Sequence, residues 1–345
     1  MPSGPNGRPA TIYDVAALAK LSIATVSRVL QGTGPVSARA RTRVDQAAQE
    51  LNYVPLRAAR SLAVQRHEAH GLVLPDLAGP FYGDLLMGYE RWAGEHGQSV
   101  IISVTKGEDH SRSLRDLASR VDGIVVHGNA LDLIAVQSLR KAKVPVVLIA
   151  HPPVTGCDSI RSESASSAEQ LTTRLLDHGR KNLLFVGDPA SSYDVSERYE
   201  GFSAALRNRN LEPPEPQRVP LTEEAGTAVA RKLLQATTRP DSLVCANDEL
   251  ALAALKTLRA AGVAVPGDIV VTGWDDVMAA RYVSPGLTTV RQPMAELGRL
   301  AAQRLHERVT GERTRARNDV LATQLVLRES CGTGPGEDAV TAVTD

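Results

Sequence analysis

The 345-residue sequence contains few cysteines, few aromatic residues and no long apolar run. Cys157, Cys245 and Cys331 are far apart and odd in number, so neither a disulfide framework nor a CxxC metal motif is indicated. Aromatic residues make up only 3% of the chain. No stretch is apolar enough to span a bilayer, and residues 1–10 resemble a disordered polar segment rather than a signal peptide. These absences predict a cytoplasmic protein without a membrane partner.

Catalytic motifs are also missing from the sequence. There is no GxSxG elbow, HExxH pair or Walker loop, and no GxGxxG follows the first predicted strand. Asp275 and Asp276 have the residue types of a catalytic carboxylate pair or a metal site, but adjacent side chains on an emerging helix point in different directions. We therefore expect no enzyme activity, no metal site and no cofactor.

The net charge of zero conceals an asymmetric distribution of charge. Residues 1–67 contain nine Lys or Arg and three acidic residues, a net charge of +6, so the remainder carries −6. A basic head on an acidic body predicts that the head meets a polyanion such as nucleic acid. On charge alone, a basic lobe that is merely soluble is an equal alternative.

Residues 11–55 show the pattern of three short helices. Thr11 and Asp14 have the spacing of a capping box, and Ser22 and Ser37 are suitable N-caps for the second and third helices. Apolar residues recur at helical spacing, namely Val15, Ala16, Ala19, Val26, Val29, Leu30, Val44, Ala47, Ala48 and Leu51. Three helices with a short turn between the first two are typical of a helix-turn-helix domain, whose second helix enters the major groove of DNA.

The segment TIYDVAALAKLSIATVSRVLQG resembles the N-terminal domain of LacI/GalR-family regulators, with Lys20 where that family usually has a small residue. The resemblance implies that Ile23 and Ala24 select operator bases through apolar contacts, and that Arg28 binds guanine. It also implies phosphate contacts by Thr25 and Ser27, within a DNA-binding surface that includes Thr11, Tyr13 and Ser22. The alternatives are helix capping for Thr25 and Ser27, and a purely phosphate contact for Arg28.

Residues 56–69 resemble the family's hinge helix and linker. The segment LRAARSLA favours helix but is too short to be stable alone. The resemblance implies that Leu62 inserts as a wedge at a central base step and that Arg57 and Arg60 lie beside the DNA backbone. The alternative for Leu62 is an ordinary linker leucine packed against the body.

Residues 70–330 alternate short β-rich runs with helical stretches, in two series. This rhythm predicts two α/β lobes with parallel sheets, and a ligand cleft beyond the carboxyl ends of the strands. The stretch, including VDGIVV, ERYEGFSAAL and VVTGWDD, resembles the periplasmic-binding-protein-like effector domain of the same family. The resemblance implies lobe crossovers near residues 160, 292 and 320, with the helix near 293–309 returning to the N-terminal lobe. Residues 331–345 are predicted to be a disordered tail.

The same resemblance assigns an effector site. Phe81 and Tyr82 supply an aromatic wall, Arg198 a fork of donors, and Asn247 and Asp275 groups that bind hydroxyl pairs. His127 and Gln292 complete the set. The alternative for each is a polar group satisfied at the surface or between the lobes. Leu221 stands where many relatives have a second aromatic residue, which weakens the case for a purine. Lys106, His127 and His151 leave open a cationic cleft for an acidic or phosphorylated sugar.

Together these observations predict a homodimeric, sequence-specific regulator that binds a palindromic DNA operator. Repression controlled by a small-molecule effector, expected to be a sugar or sugar derivative, is the favoured interpretation. A ligand-responsive activator and a corepressor-dependent regulator are the alternatives. A solute-binding protein and an enzyme are the least favoured.

Overall fold

The computed structural model describes residues 8–32, 34–53, 66–105, 110–332 and 341–342, in two compact units, Met1–His67 and Glu68–Asp345. The first unit, the head, contains α1 (Ile12–Ala19), α2 (Ile23–Gln31) and α3 (Ala38–Glu50). Each helix starts where the sequence predicts. The Thr11 N–H donates to the Asp14 carboxylate (2.8 Å), and the Ser22 and Ser37 hydroxyls accept from backbone amides three residues on. The predicted three-helix head is confirmed.

The turn between α1 and α2 depends on contacts with α3. Lys20 adopts a left-handed conformation (φ 51°), which non-glycine residues adopt at a cost of about 1–2 kcal/mol. The Arg43 guanidinium on α3 donates to the carbonyls of Ala19 and Lys20 and so caps the end of α1. Below the turn lie the fully buried head residues Val15, Ala16, Ala19, Val26, Val29, Val44 and Ala47.

The second unit, the body, begins with an α/β lobe. Its six-stranded parallel sheet has the order β10-β5-β4-β3-β1-β2. The strands are β1 (Ala69–Leu74), β2 (Ser99–Val104), β3 (Gly123–His127), β4 (Val146–Ile149), β5 (Asp158–Ser162) and β10 (Asn318–Leu321). Its helices are α4 (Phe81–Glu95), α5 (His110–Ala118), α6 (Leu133–Lys141) and α12 (Met294–Thr310). Strands β1, β3 and β4 are buried throughout because helices cover both faces of the sheet.

The C-terminal lobe contains the parallel sheet β6-β7-β8 and the antiparallel sheet β12-β11-β9. The strands are β6 (Leu183–Val186), β7 (Ser242–Cys245), β8 (Val270–Thr272), β9 (Thr289–Arg291), β11 (Gln324–Val326) and β12 (Thr341–Ala342). The helices are α7 (Ala165–Asp177), α8 (Tyr193–Arg207), α9 (Glu223–Gln235), α10 (Asp248–Ala260) and α11 (Met278–Tyr282). A short 3-10 helix spans Glu329–Cys331.

The chain passes between the lobes three times, after β5, between β9 and α12, and between β10 and β11. Helix α12 packs on α4 and against β3, β4 and β5, in agreement with its predicted return to the N-terminal lobe. The predicted disorder of the tail is wrong for its described part. Cys331 is buried in the C-terminal core, and Thr341–Ala342 pair with β11, because the edge of that strand is otherwise open.

The packing of α4 on α12 requires glycine at two points of close approach. A Cβ at Gly88 would collide with the Ala295 carbonyl, and a Cβ at Gly298 with the Leu85 carbonyl. Gly83 lies on the same helix as Gly88, but nothing lies within 4 Å of a Cβ placed there. Substitutions at Gly88 and Gly83 therefore distinguish the effect of helix packing on stability from that of helix propensity.

We expect Gly88→Ala to lower the free energy of unfolding by about 1–3 kcal/mol, because α12 would have to move away. Gly83→Ala is the matched control and should raise stability by up to about 1 kcal/mol, the helix propensity gain. Urea unfolding of both variants measures the difference. Equal effects at the two positions would show that α4 and α12 do not approach as closely as described.

Candidate functional site

The outer surface of α2 carries the predicted base-reading residues. Ile23 is 43% exposed, and Ala24 and Arg28 are also exposed, while Val26 and Val29 anchor the opposite face in the head core. Within the described ranges, the Arg28 guanidinium has no carboxylate partner. An exposed arginine on a rigidly packed helix has the donor geometry that binds the O6 and N7 atoms of guanine.

Several hydroxyl groups predicted to contact DNA also hold the helix ends. The Ser22 hydroxyl accepts from the Thr25 N–H (3.2 Å) and lies 2.9 Å from the Thr25 hydroxyl. The Thr11 hydroxyl donates to Asp14 (2.7 Å). These contacts support the capping alternative for Thr25. The Ser27 side chain is half-buried, and Tyr13 is 67% exposed. Arg57, Arg60 and Leu62 lie outside the described residues.

In the N-terminal lobe, three aromatic side chains meet at the carboxyl ends of β1 and β3. The ring centroids of Phe81 and Tyr82 are 5.1 Å apart, and each lies within 5.6 Å of the centroid of His127. All three ring pairs are edge-to-face. Phe81, Tyr82 and His127 therefore form one aromatic cluster, which we call the aromatic wall.

The wall carries no positive charge. Burial lowers the pKa of His127 to about 4, so its imidazole is neutral at pH 7. Neither ring nitrogen has a hydrogen-bond partner among the described residues. His151 turns its Nδ1 to the Pro152 carbonyl (2.7 Å), and Lys106 lies outside the described residues. The hypothesis that His127 helps to make the cleft cationic is wrong, because a cation would lose its hydration there.

In the C-terminal lobe, Arg198 projects from α8 and is buried. Its Nη1 donates to the Ala246 carbonyl (2.7 Å), and its guanidinium carbon lies 4.6 Å from the Trp274 ring centroid. Burial lowers the pKa of Arg198, which the nearby charges of Asp275 and Asp194 oppose. The Arg198 Nε is buried without a hydrogen-bond partner in the described residues. Buried donors normally have an acceptor, which a bound ligand would supply here.

The charge of Asp275 acts on Arg198 without an ion pair within 4 Å between the two side chains. Asp275 is oriented by Gln292, whose Nε2 donates to the Asp275 Oδ1 (2.6 Å). Its backbone has φ 117°, a strained conformation for a residue other than glycine. A backbone bond from the Asp275 N–H to the Val290 carbonyl (2.8 Å) holds that conformation. Asp276 instead binds Arg291 and Arg328, so the two adjacent carboxylates do point in different directions.

The two lobes approach each other around these groups. The Glu249 carboxylate of the C-terminal lobe lies directly against the backbone of Gly79 in the N-terminal lobe. Burial, followed by the charges of Asp76, Asp275 and Glu249, raises the pKa of Tyr82. The Asn129 side chain donates to the Ser191 carbonyl across the cleft (3.1 Å). The aromatic wall and the Arg198–Asp275 pair therefore face the same space, which we call the cleft.

The structure changes the expected roles of two residues. The Asn247 side chain accepts from the Leu250 N–H (3.1 Å) and donates to the Leu221 carbonyl (3.3 Å), so it caps α10. Gln292 orients the Asp275 carboxylate through its side-chain amide. The sequence reasoning missed Trp274 and Asp194, although Trp274 directly precedes Asp275 and Asp194 lies one helical turn before Arg198. One oxygen of Asp194 is buried without a partner in the described residues.

Binding in the cleft should depend on pH through Asp275. Burial raises the pKa of this carboxyl to about 7, although Arg198 and Gln292 oppose the rise. A ligand hydroxyl donates more strongly to the ionised carboxylate, so ligand affinity should increase from pH 6 to pH 8. In Asp275→Asn that dependence should disappear. Calorimetry across this range measures it, and an identical pH profile in Asp275→Asn would contradict the assignment.

The same shift predicts how stability depends on pH. The pKa of Asp275 is higher in the folded chain than its ordinary value of 3.8. The folded state therefore holds the extra proton between about pH 4 and 7, and the contribution of Asp275 to the free energy of unfolding falls as pH rises through that window. Asp275→Asn removes this contribution, so the difference from the wild type should itself change between those pH values.

Comparison with known proteins places both units. Residues 11–55 match the model described as "Bacterial regulatory proteins, lacI family", and residues 172–331 match the periplasmic binding protein-like domain. The HTH-type transcriptional regulator CelR of Thermobifida fusca is 35% identical over 332 residues, covering 93% of this chain and 98% of the relative. Among the described residues, none of the helices combines the length and the apolar character needed for a membrane span.

Two solved structures have the same architecture. A complex of the transcriptional regulator CelR with cellobiose superimposes with a TM-score of 0.72 at 32% identity, covering 93% of this chain and 99% of that one. The Lac repressor dimer bound to operator and the anti-inducer ONPF superimposes with a TM-score of 0.83 at 28% identity, covering 94% and 99%.

Proposed function

The chain belongs to the LacI family of bacterial regulatory proteins, and from its two sites we propose that it is a transcriptional repressor controlled by a neutral sugar. The observation that carries the effector assignment is the composition of the cleft. An aromatic wall of Phe81, Tyr82 and His127 faces the Arg198–Asp275 pair. Aromatic faces that pack on C–H groups and paired charges that bind hydroxyls are the chemistry that recognises a saccharide.

The charge of the cleft favours a neutral ligand over a phosphorylated one. The charges of Asp275 and Asp194 both act on Arg198. Arg161 also acts on Asp194, but it is paired with Glu197. The neutral state of His127 adds no compensating positive charge. A phosphate group entering this space would lie near carboxylates without a free cation, which is unfavourable at short distance. A saccharide, by contrast, donates hydrogen bonds from its hydroxyl groups to Asp275 and Asp194, and it accepts a hydrogen bond from the Arg198 Nε.

The head supplies the DNA-binding activity. Ile23 and Ala24 are positioned to contact thymine methyl groups, Arg28 to bind guanine, and Ser27 to bind phosphate. Arg57, Arg60 and Leu62 keep the hinge roles that the family resemblance implies. Since its target is chromosomal DNA, we place the protein in the cytoplasm.

A homodimer gives the two-fold symmetry that a palindromic operator requires. Exposed apolar side chains support a second copy as partner, since Met278 and Tyr282 on α11 are 68% and 80% exposed. The effector regulates DNA binding by favouring one arrangement of the lobes over another, and linkage requires the operator to act reciprocally on effector affinity.

Trp274 provides the direct test of the effector assignment. The chain has only two tryptophans, so Trp92→Phe leaves Trp274, under the Arg198 guanidinium, as the only indole. In that background, full-length protein is titrated with cellobiose, other neutral mono- and disaccharides, and their phosphorylated counterparts. A saturable change in emission with a neutral sugar supports the proposal. Saturation only with phosphorylated sugars, or with no saccharide, would contradict it.

A further inference from the structure

A second cavity, of about 360 Å³, lies on the N-terminal lobe away from the cleft. It is lined by the last turn of α6, the segments that lead into β4 and β5, and the end of α12. These are the amino ends of β4 and β5, whereas the cleft lies at the carboxyl ends of the strands. Four cationic side chains line this cavity, from Arg140, Lys143, Arg308 and Arg313.

Two of these cations are held in place from beneath. The fully buried Asp158 carboxylate accepts from the Arg313 Nη1 (2.7 Å) and lies 3.6 Å from the Arg308 Nε. The Arg313 Nε also binds Glu307 (2.8 Å), which pairs with Arg304 as well. Backbone carbonyls of Thr314, Gly156 and Arg315 also accept from the Arg308 and Arg313 guanidinium groups. Both groups are therefore fixed in place, and only part of their N–H groups is left to bind a second anion.

The positive charge of the cavity is not balanced. Within the described ranges, no carboxylate lies within 4 Å of the Arg140 or Lys143 charges. The C-terminal ends of α6 and α12 contribute only about half a negative charge each. In addition, the Arg313 Nη2 is buried and lacks an acceptor among the described residues. The Asp158 Oδ2 is likewise buried without a donor among the described residues, so the uncompensated charges of Arg140 and Lys143, rather than this donor, are what favour an anion in the cavity.

The shape of the cavity indicates the size of that anion. Gly156 (φ 81°) lies directly beneath the Arg140 guanidinium, where any side chain would collide with it, and Gly311 (φ 78°) ends α12 at the opposite wall. The absence of a side chain at Gly156 lets the Arg140 guanidinium lie over the backbone at this wall of the cavity. The volume is within the range of sites for small molecules.

We propose that this cavity binds the phosphate group of a small molecule. Arginine forks bind phosphate through two parallel N–H···O bonds, and Lys143 adds a point charge at the rim. The cavity volume of about 360 Å³ accommodates a small phosphate monoester. The site is separate from the cleft, so it gives the chain a second ligand of a different chemical class.

The test uses inorganic phosphate as the probe and full-length protein. Calorimetric titration in chloride buffer of constant ionic strength compares the wild type, Arg140→Gln/Lys143→Gln, and Arg207→Gln/Lys256→Gln. The last variant loses the same charge at exposed positions of the C-terminal lobe. The wild type and this control should bind phosphate equally. The Arg140→Gln/Lys143→Gln variant should bind at least tenfold more weakly.

Thermal unfolding separates loss of the site from loss of the fold. Without phosphate, the Arg140→Gln/Lys143→Gln variant should unfold at or above the wild-type temperature, because two uncompensated cations are removed. With phosphate, the rise in Tm should be large in the wild type and small in this variant. Equal phosphate binding in all three proteins, or none in the wild type, would overturn the proposal. The proposal would also be overturned if Arg140→Gln/Lys143→Gln bound phosphate like the wild type but lost affinity for duplex DNA.

Discussion

Arg198→Met is expected to abolish the response to the effector while DNA binding remains. The guanidinium supplies the free Nε donor of the cleft and the countercharge for Asp275 and Asp194. Truncating one partner of a buried charged contact at a binding site typically costs about 2–5 kcal/mol of binding free energy, so effector affinity should fall by at least about thirtyfold. The head lies in the other compact unit and retains its own core, so operator affinity without effector should change less than about threefold.

Two titrations measure this outcome. Trp274 emission gives effector affinity, and fluorescence anisotropy of a labelled operator gives DNA affinity with and without effector. Arg209→Met is the control, since Arg209 follows the same helix and pairs with Asp177 at the surface. It should behave like the wild type in both titrations. Unchanged effector affinity in Arg198→Met would remove Arg198 from the effector site, whereas loss of both activities would indicate unfolding.

Arg28→Ala is expected to flatten the preference for one base in each half of the operator. A bidentate arginine–guanine pair contributes about 1–3 kcal/mol of discrimination, and a dimer makes this contact twice. Affinity for the preferred operator should therefore fall by about 10²-fold or more. Affinity for random-sequence DNA should fall far less, because phosphate contacts dominate non-specific binding.

Arg39→Ala is the matched control for Arg28→Ala. Arg39 is an exposed arginine in the first turn of α3, outside the base-reading helix. Its removal should weaken preferred and random sequences by a similar factor and reduce the salt dependence of binding. If Arg28→Ala gave that same uniform loss, Arg28 would be a phosphate contact and the base preference would reside in other residues.

The fold was predictable wherever local pattern determines structure. Helix α2 starts at its Ser22 cap and α3 at its Ser37 cap. Strand β5 was not predicted, because Asp158–Ser162 is mostly polar. One of its neighbours in the sheet is β10, which is far from it along the chain. The ordered pair formed by β11 and β12 was missed for the same reason. The apolar run at residues 325–327 is only three residues long, too short to indicate a strand by itself.

Most residues of the cleft could be predicted, but their protonation states and hydrogen bonds could not. Family resemblance located Phe81, His127, Arg198 and Asp275, which the structure brings together. It could not reveal that burial keeps His127 neutral or that Asn247 is occupied as a helix cap, because both depend on neighbours contributed by distant segments. Trp274 was overlooked, since an aromatic residue after a buried strand is usually part of the core.

Selection of bound sequences from a random duplex library, with full-length protein at fixed salt, tests the central claim most directly. A dimeric repressor with Arg28 on its reading helix should enrich a palindrome that has a conserved guanine in each half and a flexible step at its centre. Arg28→Ala should enrich a palindrome without that guanine preference. If the wild type enriched no palindrome, with or without the sugar that changes Trp274 emission, the chain would not be an operator-binding regulator.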